Sequence, residues 1–154
     1  MFQLANVAHI GRRYQTVEEL YRQSVKLSPE SVHAYNELAL LLALRGRCAD
    51  EALKSIDQTI TLSGPLPFLL DTRASVHLAA GRSQQAIRDL ENSIVDSSTA
   101  VAYFHLAQAH LTQGNRTEAN RALRQGSALG LNADSVHPLE CEAFEQLRNR
   151  LQGF

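Results

Sequence analysis

Three stretches of this chain share one plan: a short amphipathic segment, a glycine, and a second amphipathic segment. They cover residues 37–56, 72–90 and 104–123. Their small residues recur in step. The turn glycines Gly46, Gly81 and Gly114 are spaced 35 and 33 residues apart. Alanines before the turn (Ala39, Ala74, Ala107) are spaced 35 and 33, and those after it (Ala52, Ala86, Ala119) 34 and 33. Three independent markers thus agree on a period near 34. Repetition at about 20–50 residues constrains a fold more than any other sequence feature, because each unit can bury its apolar face only against its neighbours. An alanine recurs where two helices cross closely, since a bulky side chain there overpacks the contact by about 1–3 kcal/mol.

The apolar spacing predicts helices throughout. The first runs over residues 3–10, with Leu4, Ala5, Ala8 and Ile10 apolar and Gly11 as its C-cap. Thr16, Glu18 and Glu19 open a second, which reaches Leu27 before Pro29. Further helices are expected over about 32–45 (capped by Ser31), 50–62, 67–80 (Pro67 in its first turn), 84–96 (capped by Ser83), 99–112 (capped by Ser97 and Ser98) and 116–129. A last helix over 137–151 places Leu139, Phe144, Leu147 and Leu151 on one stripe. Glu140, Glu142, Glu145, Arg148 and Arg150 make its other face polar, as a terminal element of a stack requires.

The 154 residues suit one domain, with a 44% hydrophobic content that can build a core. Fifteen basic and 16 acidic side chains leave no broad positive field for nucleic acid or an anionic membrane. No apolar run approaches the roughly 20 residues of a membrane span, and the opening residues, without a basic stretch followed by an apolar one, are not expected to act as a signal peptide. Cys48 and Cys141 are isolated, which reads as two reduced packing residues of a cytoplasmic protein.

The pattern resembles the tetratricopeptide repeat family. It maps onto Tyr35, Leu38, Ala39, Leu42, Gly46, Ala52, Ile56, Thr59 and Gly64-Pro65. It returns as Leu70, Ala74, His77, Gly81, Ala86, Leu90 and Ser93, and again as Tyr103, Leu106, Ala107, His110, Gly114, Ala119, Leu123 and Gly126. A first copy keeps Leu4-Ala5, Gly11, Val17, Tyr21, Ser24 and Pro29. The sequence departs from the family in lacking tryptophan at the first large position, in lacking terminal prolines after the last two copies, and in placing Arg73 where leucine is usual.

The resemblance implies an all-α, right-handed α-solenoid of antiparallel helix pairs with a terminal capping helix. Residues 1–154 then form one domain, with repeats at about 1–31, 32–66, 67–99 and 100–133 and the cap at about 137–151. It also implies a protein-interaction scaffold, not an enzyme, binding a peptide or helix on the concave face of the first helices of each pair. The implied groove residues are His33, Asn36, Leu40 and Ala43, then Phe68, Asp71, Ser75 and Leu78, then Val101, Phe104, Gln108 and Leu111. Phe68 and Phe104 are expected to anchor apolar side chains, and the Asn36 and Gln108 amides to pair with a peptide backbone. The lysine-rich clamp by which some members grip a C-terminal carboxylate is absent, because Asn36, Asp71 and Phe104 stand at the matching positions. The alternative is a structural or oligomerisation module, a homodimer through the uncapped N-terminal end, or the C-terminal array of a longer protein.

Six histidines raise a metal or catalytic reading. His105 and His110 are five apart and share no helical face, and no HExxH or glycine-rich phosphate loop accompanies them. Neither a cofactor nor a metal is expected. His77 and His110 fall on packing positions. Arg116, Arg121 and Arg124 read as a solvated face interrupted by Glu118. Arg73, at a packing position, needs a buried partner or a snorkelling route; a structural inter-repeat ion pair with Glu37 or Asp89 is expected, and a cation of the groove is the alternative.

Overall fold

The computed structural model describes the backbone over residues 2–152 and the side chains over 13–151. The described residues are helical from end to end of the stack: α1 (Phe2–Leu27), α2 (Val32–Leu44), α3 (Ala49–Ser63), α4 (Pro67–Ala79), α5 (Ser83–Asp96), α6 (Ala100–Thr112), α7 (Arg116–Ala128) and α8 (Cys141–Gln152). A 3₁₀ turn, Pro138–Glu140, leads into α8. Helices α2/α3, α4/α5 and α6/α7 form pairs, and each pair packs on the next to give an all-α repeat array.

Each pair is closed by the same turn. Asn115 N donates to the His110 carbonyl (2.9 Å) and Gly114 N to the Leu111 carbonyl (3.0 Å). Gly114 takes φ +79°, left-handed backbone in which an added Cβ is strained. The turns at Gly46 and Gly81 repeat both bonds. All six marker alanines, Ala39, Ala52, Ala74, Ala86, Ala107 and Ala119, have 0% exposure. They are the crossing points of the paired helices, which is why the period is written in small residues.

Several local expectations are corrected. No turn follows Gly11: it lies inside α1, which runs unbroken from Phe2 to Leu27. Thr16 therefore starts no helix. The apolar positions Leu4, Ala5, Ala8 and Ile10 fall outside the described side chains. Ser31 and Thr99 cap α2 and α6 through their hydroxyls, which accept from Ala34 N (3.2 Å) and Ala102 N (3.1 Å). Thr99, not Ser97 or Ser98, is the α6 cap. Ser83 is the first residue of α5 and buries its side chain instead of capping.

Two apolar clusters fill the stack. One, around Leu42, Ile56, Leu69 and Val76, joins α2, α3 and α4. The other, around Leu90, Phe104 and Leu123, extends into the C-terminal segment through Val136, Phe144, Leu147 and Leu151. The second is what shapes the groove.

Candidate binding groove

Helices α2, α4 and α6 share one face of the stack, and the segment from Val136 through α8 folds across it. Phe144 is the anchor of that segment. Its ring stands edge-on to Phe104, with centroids 5.6 Å apart and planes at 81°. Phe104 is 0% exposed as a result. The expectation that Phe104 anchors a ligand is therefore wrong for this fold: the site it would serve is filled by the chain's own α8.

Beside this contact lies a buried charged cluster. His105 is 3% exposed. Its Nδ1 sits 2.7 Å from Oδ1 of Asp71 and its Nε2 2.8 Å from Oε1 of Glu140. Carboxylates only accept, so a ring that bonds to one on each side carries both protons. Burial alone would push such a ring toward the neutral form. The Asp71 charge and hydrogen bond, with those of Glu140, outweigh it and push the pKa up to about 10. Asp71 belongs to α4, His105 to α6 and Glu140 to the 3₁₀ turn, so one imidazolium ties two repeats to the tail. Further along the same segment, the His137 ring comes within 6.1 Å of Tyr14 on α1. The tail thus spans the face from the last repeat to the first helix.

What it leaves open is a pair of adjoining cavities that share Leu78, Gln108 and Ala143. The one of about 190 Å³ extends toward Ala43, Leu44 and Ser75. Its neighbour, about 230 Å³, extends toward Leu111, Leu147 and Arg150. The floor is aliphatic. At its edge stand the amides of Gln108 and Gln146 and the Thr112 hydroxyl, with the Arg150 guanidinium at one end and the His105–Glu140 pair in the wall of the other cavity. The Arg150 guanidinium has no ion-pair partner among the described residues.

The expected groove residues divide on this face. Ala43, Ser75, Leu78, Gln108 and Leu111 line the cavities. Asp71 is brought beside them as the partner of His105. Asn36, expected to meet a peptide, is instead buried; its amide nitrogen donates to Glu37 (3.2 Å) and its Oδ1 is buried without a partner. His33 is exposed, with Nδ1 4.0 Å from Glu37. Phe68 is 52% exposed. Neither these two nor Leu40 or Val101 line either cavity. Sequence reasoning missed His105, Leu139, Glu140 and Ala143. His105 carried a signal, since it follows Asp71 by 34 residues, one repeat. The tail residues carried none, because they belong to no repeat.

Arg73 is bound as an inter-repeat cation. It donates to both oxygens of Asp89 (2.8 and 2.7 Å) and to Asp57 (3.2 Å), not to Glu37. The Asp89 bonds outweigh partial burial and hold its pKa above the ordinary arginine range. His77 Nε2 lies 3.7 Å from the same Asp89; burial nevertheless lowers its pKa. Among the described residues, no group of three or more His, Cys, Asp and Glu side chains could hold a metal ion. No helix of the described residues is long and apolar enough to cross a membrane.

The chain matches the tetratricopeptide repeat over residues 4–66 and 72–130. Two crystal structures of MamA share the fold, each at 16% identity. One has a TM-score of 0.65 over 94% of this chain and 86% of MamA; the other has 0.64 over 96% and 82%. Identity that low relates the folds alone. No curated protein matches the sequence.

Proposed function

The chain belongs to the tetratricopeptide repeat family, and we propose that it is a cytoplasmic, non-enzymatic scaffold that takes a peptide or short helix in the groove between α4, α6 and α8. The observation that carries this reading is the continuity of the two cavities through Leu78, Gln108 and Ala143. An aliphatic floor with amides at its rim suits apolar side chains flanked by peptide backbone. The period places the repeats at about 1–31, 32–66, 67–99 and 100–133, the first of them a single unbroken helix, α1, in place of a pair, with the segment after them acting as groove wall as well as cap.

A displayed peptide library selected on the whole protein tests this. Peptides recovered on the wild type are expected to lose about tenfold in affinity on Gln108→Ala or Leu78→Asp, the order of one lost buried contact. Retention of full affinity by both variants, with unchanged circular dichroism, would remove the groove from consideration.

A second reading, an oligomerisation module, is favoured by α1, where Leu20 and Leu27 are 56% and 84% exposed on a helix that packs only on α2 among the major contacts. Light scattering separates the two. A monomer at micromolar concentration supports the scaffold alone, and a dimer dispersed by Leu20→Lys supports the module.

A further inference from the structure

Eight large hydrophobic side chains are exposed among the described residues, and six of them gather at one edge of the stack. The second helix of each pair ends where the first helix of the next begins. The last turns of α1, α3, α5 and α7 therefore share that edge with the first turns of α2, α4 and α6. Each of those endings presents one apolar side chain to solvent: Leu27 (84% exposed), Leu62 (54%), Val95 (83%) and Leu129 (50%). They recur at intervals of 35, 33 and 34 residues, one repeat each. Leu66 and Phe68, at the start of α4, widen the second rung of this ladder. The opposite edge, built from the turns at Gly46, Gly81 and Gly114, has no exposed large hydrophobic side chain among the described residues. Arg45, Arg47, Arg82 and Arg116 stand there instead. A single exposed leucine is ordinary; a periodic row confined to one edge marks a contact surface.

The charges along the row decide what it fits. Lys26 and Glu30 flank the first rung and Asp96 the third, while residues 61–68 and 127–132, around the second and fourth, carry none. A bilayer surface is a poor match for two carboxylates and one lysine, because anionic headgroups attract clustered basic residues. A second copy of the same row is a good match in one register. Two-fold pairing with the rows antiparallel sets the first rung on the fourth and the second on the third. Each charged rung then meets an uncharged one. Each protruding side chain also meets a recessed one, Leu27 against Leu129 and Val95 against Leu62. Parallel rows would instead set Glu30 on Glu30 and Asp96 on Asp96, and like charges oppose that pairing.

We propose that two copies of the chain associate through this edge, row against antiparallel row. The inference rests on the oligomerisation reading and gives it a site and a register. The six side chains offer roughly 400 Å² of apolar surface per copy, about 800 Å² for two. Specific interfaces begin near about 1,000 Å² in total, so with the intervening turns the row supports a weak dimer. None of the six lines either groove cavity, and the dimer leaves that lining free.

Sedimentation equilibrium of the intact protein tests this. A monomer–dimer midpoint of about 10 μM is expected, the scale of a small interface. Val95→Glu and Leu62→Lys, both at exposed positions and checked for folding by circular dichroism, are each expected to raise the midpoint about tenfold. Antiparallel rows bring the new acid onto the new base at both contacts of the double variant. That variant is expected to dimerise at least about threefold more tightly than either single one. Leu20→Lys, two turns back along α1, is expected to leave the midpoint unchanged. A monomer up to about 300 μM, a dimer indifferent to both single changes, or a double variant no tighter than the single ones would overturn the proposal. A dimer dispersed by Leu20→Lys and untouched by Val95→Glu would overturn the edge while keeping the oligomerisation reading on α1; a monomer removes both.

Discussion

Nε2 of His105 lies 2.8 Å from Oε1 of Glu140, a residue 35 positions later in a segment outside the repeats. With Nδ1 held by Asp71 at 2.7 Å, the ring joins α4, α6 and the tail as a cation. Its folded pKa is raised from 6.5 to about 10. A group raised on folding contributes stability that is complete below its unfolded pKa and is lost as pH climbs through the folded one. The window is therefore pH 6.5 to 10. Urea midpoints of the wild type and His105→Gln are expected to differ most at or below pH 6.5 and to converge toward pH 10. A constant difference across that range would show that the ring is held neutral.

Phe104 now reads as core. Truncation to alanine removes the edge contact with Phe144 and leaves a cavity under α8, at a cost of about 3–5 kcal/mol. Thermal denaturation of Phe104→Ala is expected to show that loss, so lost binding in this variant says nothing about a ligand contact. Gln108→Ala, at a half-buried cavity wall, is expected to change stability by less than about 1 kcal/mol.

The Arg73 bridge has a strong and a weak arm. Asp89 is 9% exposed at its side chain and accepts two bonds; Asp57 is 50% exposed and accepts one at 3.2 Å. Double-mutant cycles are expected to give Arg73–Asp89 a coupling of about 1.5–3 kcal/mol, and Arg73–Asp57 less than about 1 kcal/mol. Equal couplings would mean that the exposed arm is not screened.

The stack was legible because a repeat states its packing in periodic form. Ala39, Ala74 and Ala107 announce helix crossings, and Gly46, Gly81 and Gly114 announce turns, whatever the surface residues do. Two features were not legible, each for a physical reason. Gly11 resembles a C-cap in sequence, but a single glycine inside a helix costs only about 1 kcal/mol relative to alanine, so the chain continues through it. The placement of α8 depends on Phe144, Leu147 and Leu151 meeting α6 and α7, a long-range choice that no local pattern encodes. Because α8 chose that face, Phe104 changed from ligand anchor to core, while Ser75 and Gln108 stayed on the wall.

Gly126 is the small residue at the end of the last pair. A Cβ there would stand 3.0 Å from Leu131 Cδ2, 3.2 Å from the Ala100 carbonyl oxygen and 3.2 Å from Tyr103 Cβ. Helix propensity favours Gly126→Ala by about 1 kcal/mol, while overpacking against backbone costs about 1–3 kcal/mol. The crowding is expected to win, lowering the melting temperature by a few degrees. A rise would show that α6 and α7 can separate freely at this end.

Removal of the tail distinguishes a groove wall from an ornamental cap. In a simple stack, deleting the terminal element costs its own interface and little else. Here Val136, Phe144, Leu147 and Leu151 are all buried, and each contributes about 1.5–3 kcal/mol of apolar burial. The loss, roughly 6–12 kcal/mol, is comparable with the whole stability of an ordinary domain, about 5–15 kcal/mol. It also bares Phe104 and leaves Nε2 of His105 without Glu140. A chain ending at Leu131 is therefore expected to bind the dye ANS and to melt without a cooperative transition, while keeping much of its helical circular dichroism. A cooperative melt within a few degrees of the intact protein would show that the first seven helices hold themselves together, and that α8 merely rests on the groove.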